Sequence, residues 1–466
     1  MKFPGIKSVK NKVITVLILM MLFMGGIFLP AQATVTVEYV LSEVSSLLSQ
    51  FRFDEAIALF DSMPGEILAD SHFMLLKAGI LSSAGRLSEA ATVAEEVRRA
   101  EPNNIEALLV LSVIEGSQGR ADRQQALLEN ILRIEPDNTD ALIELGKLHL
   151  RNRALRNAAT SFHRVYTNDP TNFEALLGMG QYFRLSRDWE EAELFFNQAI
   201  LLHPQQASAW TERSRLFRNA GFLINALDDL DEAARLAPNN YWIAMDRGTL
   251  LLEMNRRGQA LEEFNRAIAI NPRESQAYIY TSALKDEFND LEGALHDYTI
   301  LAELRPEYYF AFEGLGFHLM RTERWLEARD AFMEAYRRSP DDHFYALLAS
   351  ISWMNVDIRG PRQFLAQVIA RLDRDSIDWF MYRLFYDMTA MSHVGERDMT
   401  NRLDRETNQA VRARMLFYMG QYYELRDSIN LANRHYMMVY EMDTRLRAIP
   451  EWRMIEWTLR SRNLIQ

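Results

Sequence analysis

Side chains that could bind a metal or move a proton are scattered along this chain rather than gathered. The nine histidines (His72, His149, His163, His203, His296, His318, His343, His393 and His435) include no pair four residues apart. That spacing is the one that sets two imidazoles on one helix face for zinc. Each histidine therefore reads as a solvent-facing or hairpin-packing residue. Adjacent carboxylates such as Asp228-Asp229 and Glu262-Glu263 read as exposed helix surface rather than as acid–base dyads. Gly314-Leu315-Gly316 begins like a dinucleotide loop but falls inside a helical pattern, where small residues serve close helix packing. No H-E-x-x-H, G-x-S-x-G or G-x-x-x-x-G-K occurs, and there is no cysteine. Disulfides, thiol catalysis, cysteine-held metals and a lipid-bearing cysteine are excluded. The expectation is a protein that is not an enzyme and uses no metal or other cofactor.

What the chain has in excess is arginine. Only seven of its 52 basic residues are lysine, and Lys2, Lys7, Lys10 and Lys12 all fall at the very start. Guanidinium groups form planar forks that match carboxylates, which suits salt-bridged helix surfaces and peptide recognition. The formal charge is −12, and residues 1–33 carry four positive and no negative side chains, so the remainder carries −12 − 4 = −16. Such a surface repels nucleic acid, and no basic run with interleaved aromatics offsets it. Nucleic acid is not an expected partner.

The elements that would position these arginines follow from a repeat. Eight prolines stand at Pro102, Pro136, Pro170, Pro204, Pro238, Pro272, Pro306 and Pro340, each 34 residues after the last (136 − 102 = 34). A fixed period of this size marks a stack of supersecondary units. Twelve residues before each proline lies Ala90, Gln124, Ala158, Ala192, Ala226, Ala260, Ala294 or Ala328. Twenty-four residues before it lies Ala78, Ser112, Gly146, Gly180, Ser214, Gly248, Ser282 or Gly316. Both sets are small because paired helices approach closely only where side chains are short. Eight residues before the proline a larger group usually fills the seam, as with Phe162, Phe196, Phe264, Tyr298 and Phe332. Each proline ends a second helix, and polar residues such as Asn104, Asn138 and Asn240 are placed to cap the next one.

The unit Tyr309 to Asp342, with Phe312, Leu315-Gly316, Leu319, Ala328, Phe332 and Pro340, resembles the tetratricopeptide repeat. The resemblance implies an all-α fold, a right-handed superhelical solenoid of about ten to twelve helical hairpins forming one continuous array. It gives a capping hairpin over residues 34–70, eight regular repeats over 71–342, degenerate helical repeats over 343–412 and a further repeat over 413–448. Within the degenerate part, His343 to Arg371 reads as a hairpin broken at Gly360-Pro361, Ile377 to Met391 as one helix, and Gly395 to Asn408 as a charged connection. Residues 449–466 form a closing helix whose Trp452, Ile455 and Leu459 share one face and cap the last repeat. The stretch Phe417 to Tyr423, Ala432 and the closing helix is similar to the end of periplasmic adaptor lipoproteins of the NlpI type, which hints at envelope biology. This chain has no cysteine to carry the lipid and has more repeats.

The same resemblance implies that the first helix of each hairpin lines an inner groove at repeat positions 2, 5, 9, 12 and 13. Those positions and their surroundings give Lys147, Arg151, Arg184, Arg215 and Arg218, then Glu253, Asp286 and Glu287 with Trp242 nearby, then Phe310, Phe317, Met320, Phe344 and Met354. The arginines either pair with carboxylates of neighbouring helices or grip a partner segment bearing a carboxylate. Other proteins or peptide segments are the expected partners.

The N-terminus reads as a secretory signal peptide over residues 1–33. A lysine-rich start precedes the apolar run Val13 to Leu29, Pro30 and the small-x-small site Ala31-Gln32-Ala33. Export to a bacterial periplasm or beyond is expected, with contact to a membrane only if this segment stays as an anchor. The reading is an exported adaptor. A membrane-tethered assembly factor, or an enzyme whose site is built across repeats, stands as the alternative.

Overall fold

The computed structural model describes residues 31–50, 52–442, 449 and 451–465; the first thirty residues of the signal-peptide reading lie outside them. The described residues form 26 helices and no strand. None of these helices is long and apolar enough to cross a membrane.

From Ser71 onward the helices come as hairpins, such as Thr139–Arg151 with Leu155–Asn168 and Phe173–Leu185 with Trp189–Leu202. Every second helix stops two residues short of its proline: at Asn168 before Pro170, at Leu202 before Pro204, at Ile270 before Pro272. The proline ring pushes the residue ahead of it out of the helical region, and Asp169 is extended at φ −141° and ψ 93°. Four of the eight helices that follow then start on a side-chain cap. Asn104, Asn138 and Asn172 accept from the amides of Ala107, Ala141 and Ala175 at 2.9–3.0 Å. Asn240 does the same for Trp242 at 2.9 Å.

Inside a hairpin the seam is set by a glycine facing a ring. A Cβ on Gly146, Gly180, Gly248 or Gly316 would come within 2.5–2.7 Å of Phe162, Phe196, Phe264 or Phe332. Each of those rings is wholly buried, so the aromatic and the missing side chain specify one another. Where the larger group is Leu230, Ser214 suffices and donates from Oγ to the Ala226 carbonyl at 2.7 Å. The turn joining the two helices contains one left-handed residue at a constant phase. It is Gly85, Gly119 or Gly221 in three hairpins, but Arg153 (φ 60°), Arg187 (φ 63°), Asn255, Asn289 and Glu323 in the others.

One expectation fails here. Of the adjacent carboxylates, only Asp228 and Glu262 are exposed. Asp229 is buried on Arg213 at 2.6 Å and Glu263 is largely covered on Arg247 at 2.5 Å. Lys285 and Asp297 repeat the arrangement at 2.6 Å. All three carboxylates hold the same place in their hairpins, 34 residues apart. They tie each second helix to its own first helix, so sequence adjacency concealed two different faces.

Two compact units divide the chain, the first ending at Leu236 and the second beginning at Ala237. The second leaves the regular phase after Asp342 with helices His343–Met354, Arg362–Ile369, Ile377–Met388 and Val394–Arg405. The last of these was expected as a connection. It is a helix because Met399 and Leu403 give it a buried edge and Gly395 lets it approach the backbone of Arg383 and Leu384. Helices Gln409–Glu424 and Ile429–Tyr440 form the final hairpin, with Gly420 against Tyr436. The closing helix is Trp452–Ser461.

Candidate partner-binding clefts

Each unit holds a cleft bordered by its first helices. In the first unit the cleft measures about 270 Å³ and has an apolar floor of Phe162, Leu177 and Gly178. Its rim is polar: Lys147, Glu174, Gln181, Ser208 and Glu212. Successive first helices supply these residues at repeat positions 2, 5, 6 and 9, so the three helices Thr139–Arg151, Phe173–Leu185 and Ala207–Ala220 build one surface.

Three of the five predicted basic residues of this unit, Lys147, Arg184 and Arg215, are engaged with carboxylates. Lys147 reaches Glu174 at 2.8 Å and Glu144 at 3.1 Å. Arg184 and Arg215 converge on Glu212, at 3.5 and 2.7 Å. Arg151 donates to Gln124 at 2.9 Å, and Arg218 is half-buried with an interaction of its own. The carboxylate on which the arginines meet is thus internal. Two of its neighbourhood's atoms stay unsatisfied, because Arg184 Nε and Glu212 Oε2 are buried without a hydrogen-bond partner. Burial pushes the Asp140 carboxyl upward, Glu144 adds to this and Lys147 opposes it.

In the second unit the predicted residues separate. Trp242 packs edge-on against Tyr241, Glu253 is exposed at a helix end, and Glu287 pairs with Arg257 at 3.1 Å. Met320, Phe344 and Met354, expected in the groove, are instead buried in the core around the degenerate repeats. That core exists because helices beyond Asp342 cover the face on which they lie. Asp286, Phe310 and Phe317 do meet, at a cleft of about 480 Å³ whose opposite wall is the closing helix, through Arg453, Met454 and Trp457.

Asp286 is held by Arg321 at 2.7 Å and by His318 Nδ1 at 3.3 Å. Burial alone would raise its carboxyl, but the His318 hydrogen bond and the charges of Arg321, His318 and Arg453 bring it below the usual aspartate value. Glu313 goes the other way, since burial raises it, despite a hydrogen bond from Tyr345, with Glu451 and Asp342 adding. Burial likewise pushes Tyr298 up to about 12. Sequence reading missed Glu313, His318, Arg321, Arg453 and Trp457. Glu313 and Arg321 occupy groove positions 5 and 13 of their repeat and were legible by the rule already applied. The closing-helix residues carried no comparable signal.

The residues around these clefts provide ion pairs, hydrogen bonds and aromatic faces. Among the described residues no group of three or more histidines and carboxylates is arranged to hold a metal ion.

Comparison with known proteins agrees with this architecture. The tetratricopeptide-repeat profile matches residues 115–173, 143–207 and 285–343. These segments of the chain are tetratricopeptide repeats. The matched segments include helices Thr139–Arg151 and Phe173–Leu185 at the first cleft and Tyr309–Arg321 at the second. Among solved structures it is similar to a tetratricopeptide repeat protein from Parabacteroides merdae, at 16% identity over 53% of this chain and 98% of that one, with a TM-score of 0.45. It is also similar to YrrB, described as a TPR protein with an unusual peptide-binding site, at 21% identity over 41% and 98%, TM-score 0.35. A third is PilF of Pseudomonas aeruginosa, at 18% identity over 45% and 95%, TM-score 0.38. Repeats of this family serve as protein-interaction scaffolds.

Proposed function

We propose that this protein is an exported, non-enzymatic adaptor that holds segments of partner proteins against the first-helix faces of its repeats. The open cleft of the first unit is its docking place. The carrying observation is the combination of an apolar floor at Leu177, Gly178 and Phe162 with a rim of charged and amide groups drawn from three successive hairpins. An extended segment laid across it would bury a side chain on the floor and present its own polar groups to the rim. Arg184 Nε, buried without a hydrogen-bond partner, is suited to one acceptor of such a segment. Lys147, Arg184 and Arg215 are already paired with Glu144, Glu174 and Glu212, so a partner segment would meet a rim of ion pairs and could exchange its own polar groups with them.

Export rests on the N-terminal sequence signal, and the absence of cysteine fits a non-lipidated protein of the periplasm or cell exterior. Should residues 1–33 remain attached, the same scaffold would act as a membrane-tethered assembly factor. The proposed role in building or maintaining the envelope rests on the sequence of the C-terminal end alone.

The test is site-specific photocrosslinking in the native cell. A photoreactive residue replacing Gln181, on the rim, is expected to give a discrete adduct with a partner protein. The same residue replacing the exposed Glu191 of the second helix is expected to give none. Equal adducts from both positions, or none from Gln181, would refute the cleft as docking place. N-terminal sequencing of the mature protein is expected to begin at Thr34; an intact residue 1 in washed membranes would show an anchor.

A further inference from the structure

The closing helix Trp452–Ser461 has two working faces. One caps the last hairpin: Ile455 and Leu459 are fully buried, Trp452 stacks on Tyr440 at 5.7 Å, and Arg462 just beyond pairs with Glu424 at 2.5 Å. The other face looks across a cleft toward the first helices Ser275–Glu287 and Tyr309–Arg321, the place where a partner would be expected in this fold. There the Arg321 guanidinium sits 5.3 Å from the Trp457 ring centre. Arg453 is close enough to Asp286, Tyr298 and Glu313 to act on the protonation of all three. Met454 contributes the apolar contact between them.

This occupant fits its site incompletely. A cleft of about 480 Å³ is left between the helix and the wall. His318 Nε2 and Arg321 Nε line that region, buried and without hydrogen-bond partners. Phe310, also on the cleft, keeps 47% of its surface exposed. A wall that lines one cleft with two carboxylates and a tyrosine alongside an arginine, and lays a guanidinium on a tryptophan, states the chemistry of its ligand.

We propose that the first-helix face of residues 275–321 is a docking surface for an amphipathic helix of a partner protein. That helix carries an arginine, an apolar residue next to it and an aromatic residue four positions on. Residues 452–461 are the resident occupant, exchanged for a partner helix of the same pattern. The surface lies in the second unit and takes a helix, so failure of the first-unit crosslinking leaves it standing, and the reverse also holds.

The probe is a fluorescent synthetic peptide of residues 451–465. A chain ending at Met442 is expected to bind it one to one, and to bind peptides carrying Arg453→Glu or Trp457→Ala at least about tenfold more weakly. The full chain is expected to bind the wild-type peptide at least about tenfold more weakly than the shortened one, because its own helix competes. Equal binding by the two chains would overturn the proposal. So would absence of binding by a shortened chain whose helices Ser275–Arg321 retain their amide protection. Should the shortened chain unfold, hydrogen exchange on the full chain decides. The proposal requires residues 452–461 to exchange by an opening that leaves Gln409–Glu424 protected. Exchange of both together, only on global unfolding, would contradict it.

Discussion

The two clefts arise from the same repeat positions and differ in what faces them. In the first unit Gln181, at position 9 of its repeat, borders an open cleft whose charges are paired among neighbouring first helices. In the second unit Ala283, at the equivalent position, faces a cleft whose far wall is the protein's own closing helix. The repeat fixes the wall of a cleft, while sequence outside the repeat decides what faces that wall. A groove defined by repeat position alone is therefore half a site.

The largest effects should come from the seam that both units share. Phe162→Ala and Phe332→Ala each remove a ring that fills the space opposite a glycine, at an expected cost of about 3–5 kcal/mol. Chemical denaturation with amide exchange should place the first loss in the hairpins around Gly146 and the second around Gly316. Equal loss everywhere would break the idea of a local seam.

Next in size is the closing helix. Trp457→Ala should cost about 2–3 kcal/mol, read as loss of protection in residues 452–461. Gln181→Trp, in the open cleft, should stay within about 0.5 kcal/mol. Comparable destabilisation by the two changes would mean that the first cleft is not open.

Acidity should separate the clefts in a predictable direction. Burial raises the carboxyls of Glu451, Glu313 and Glu424, all of which meet the closing segment or its neighbours. A carboxyl raised in the folded state binds its proton more tightly there than in the unfolded chain. Its effect on stability is therefore most favourable at low pH and is lost as pH climbs from the ordinary glutamate value through the raised one. Asp286, which is lowered, acts oppositely and only at pH below the ordinary aspartate value. Lowering the pH from neutral toward the ordinary glutamate pKa should thus increase amide protection of residues 452–461. A decrease would show that the Arg414–Glu451 pair, at 2.9 Å, outweighs the burial of its carboxylate.

How much of this could be read from sequence follows from which contacts keep the repeat phase. Prolines, caps and the glycine–phenylalanine seam do, and so the hairpins were legible. The pairing of Arg184 with Glu212 was not, because Glu212 sits at repeat position 6, outside the groove rule, on the following hairpin. The helix Val394–Arg405 was missed because most of its residues are polar and only Met399 and Leu403 mark a buried edge. The second face of the closing helix was hidden for a different reason. Its Trp452, Ile455 and Leu459 announce a cap, whereas Arg453 and Trp457 meet residues more than a hundred positions earlier, and no local pattern encodes that contact.

A small stabilising effect concerns the hairpin turns. Arg187 holds φ 63° where other hairpins have glycine, and left-handed backbone disfavours a side chain. Arg187→Gly should raise stability by about 0.5–1 kcal/mol in thermal unfolding, the part of the strain left after glycine's entropic cost. A fall would mean that the Arg187 side chain contributes more than its backbone costs.

The contrast between the two clefts can be measured directly because the chain has no native cysteine. Gln181→Cys and Ala283→Cys place one thiol at the same repeat position of each wall, and a bulky fluorescent maleimide reports access. In the full chain the thiol at 181 should label quickly and the one at 283 slowly; in a chain ending at Met442, position 283 alone should speed up. Equal labelling of the two sites in the full chain, or no change at 283 after truncation, would contradict the account.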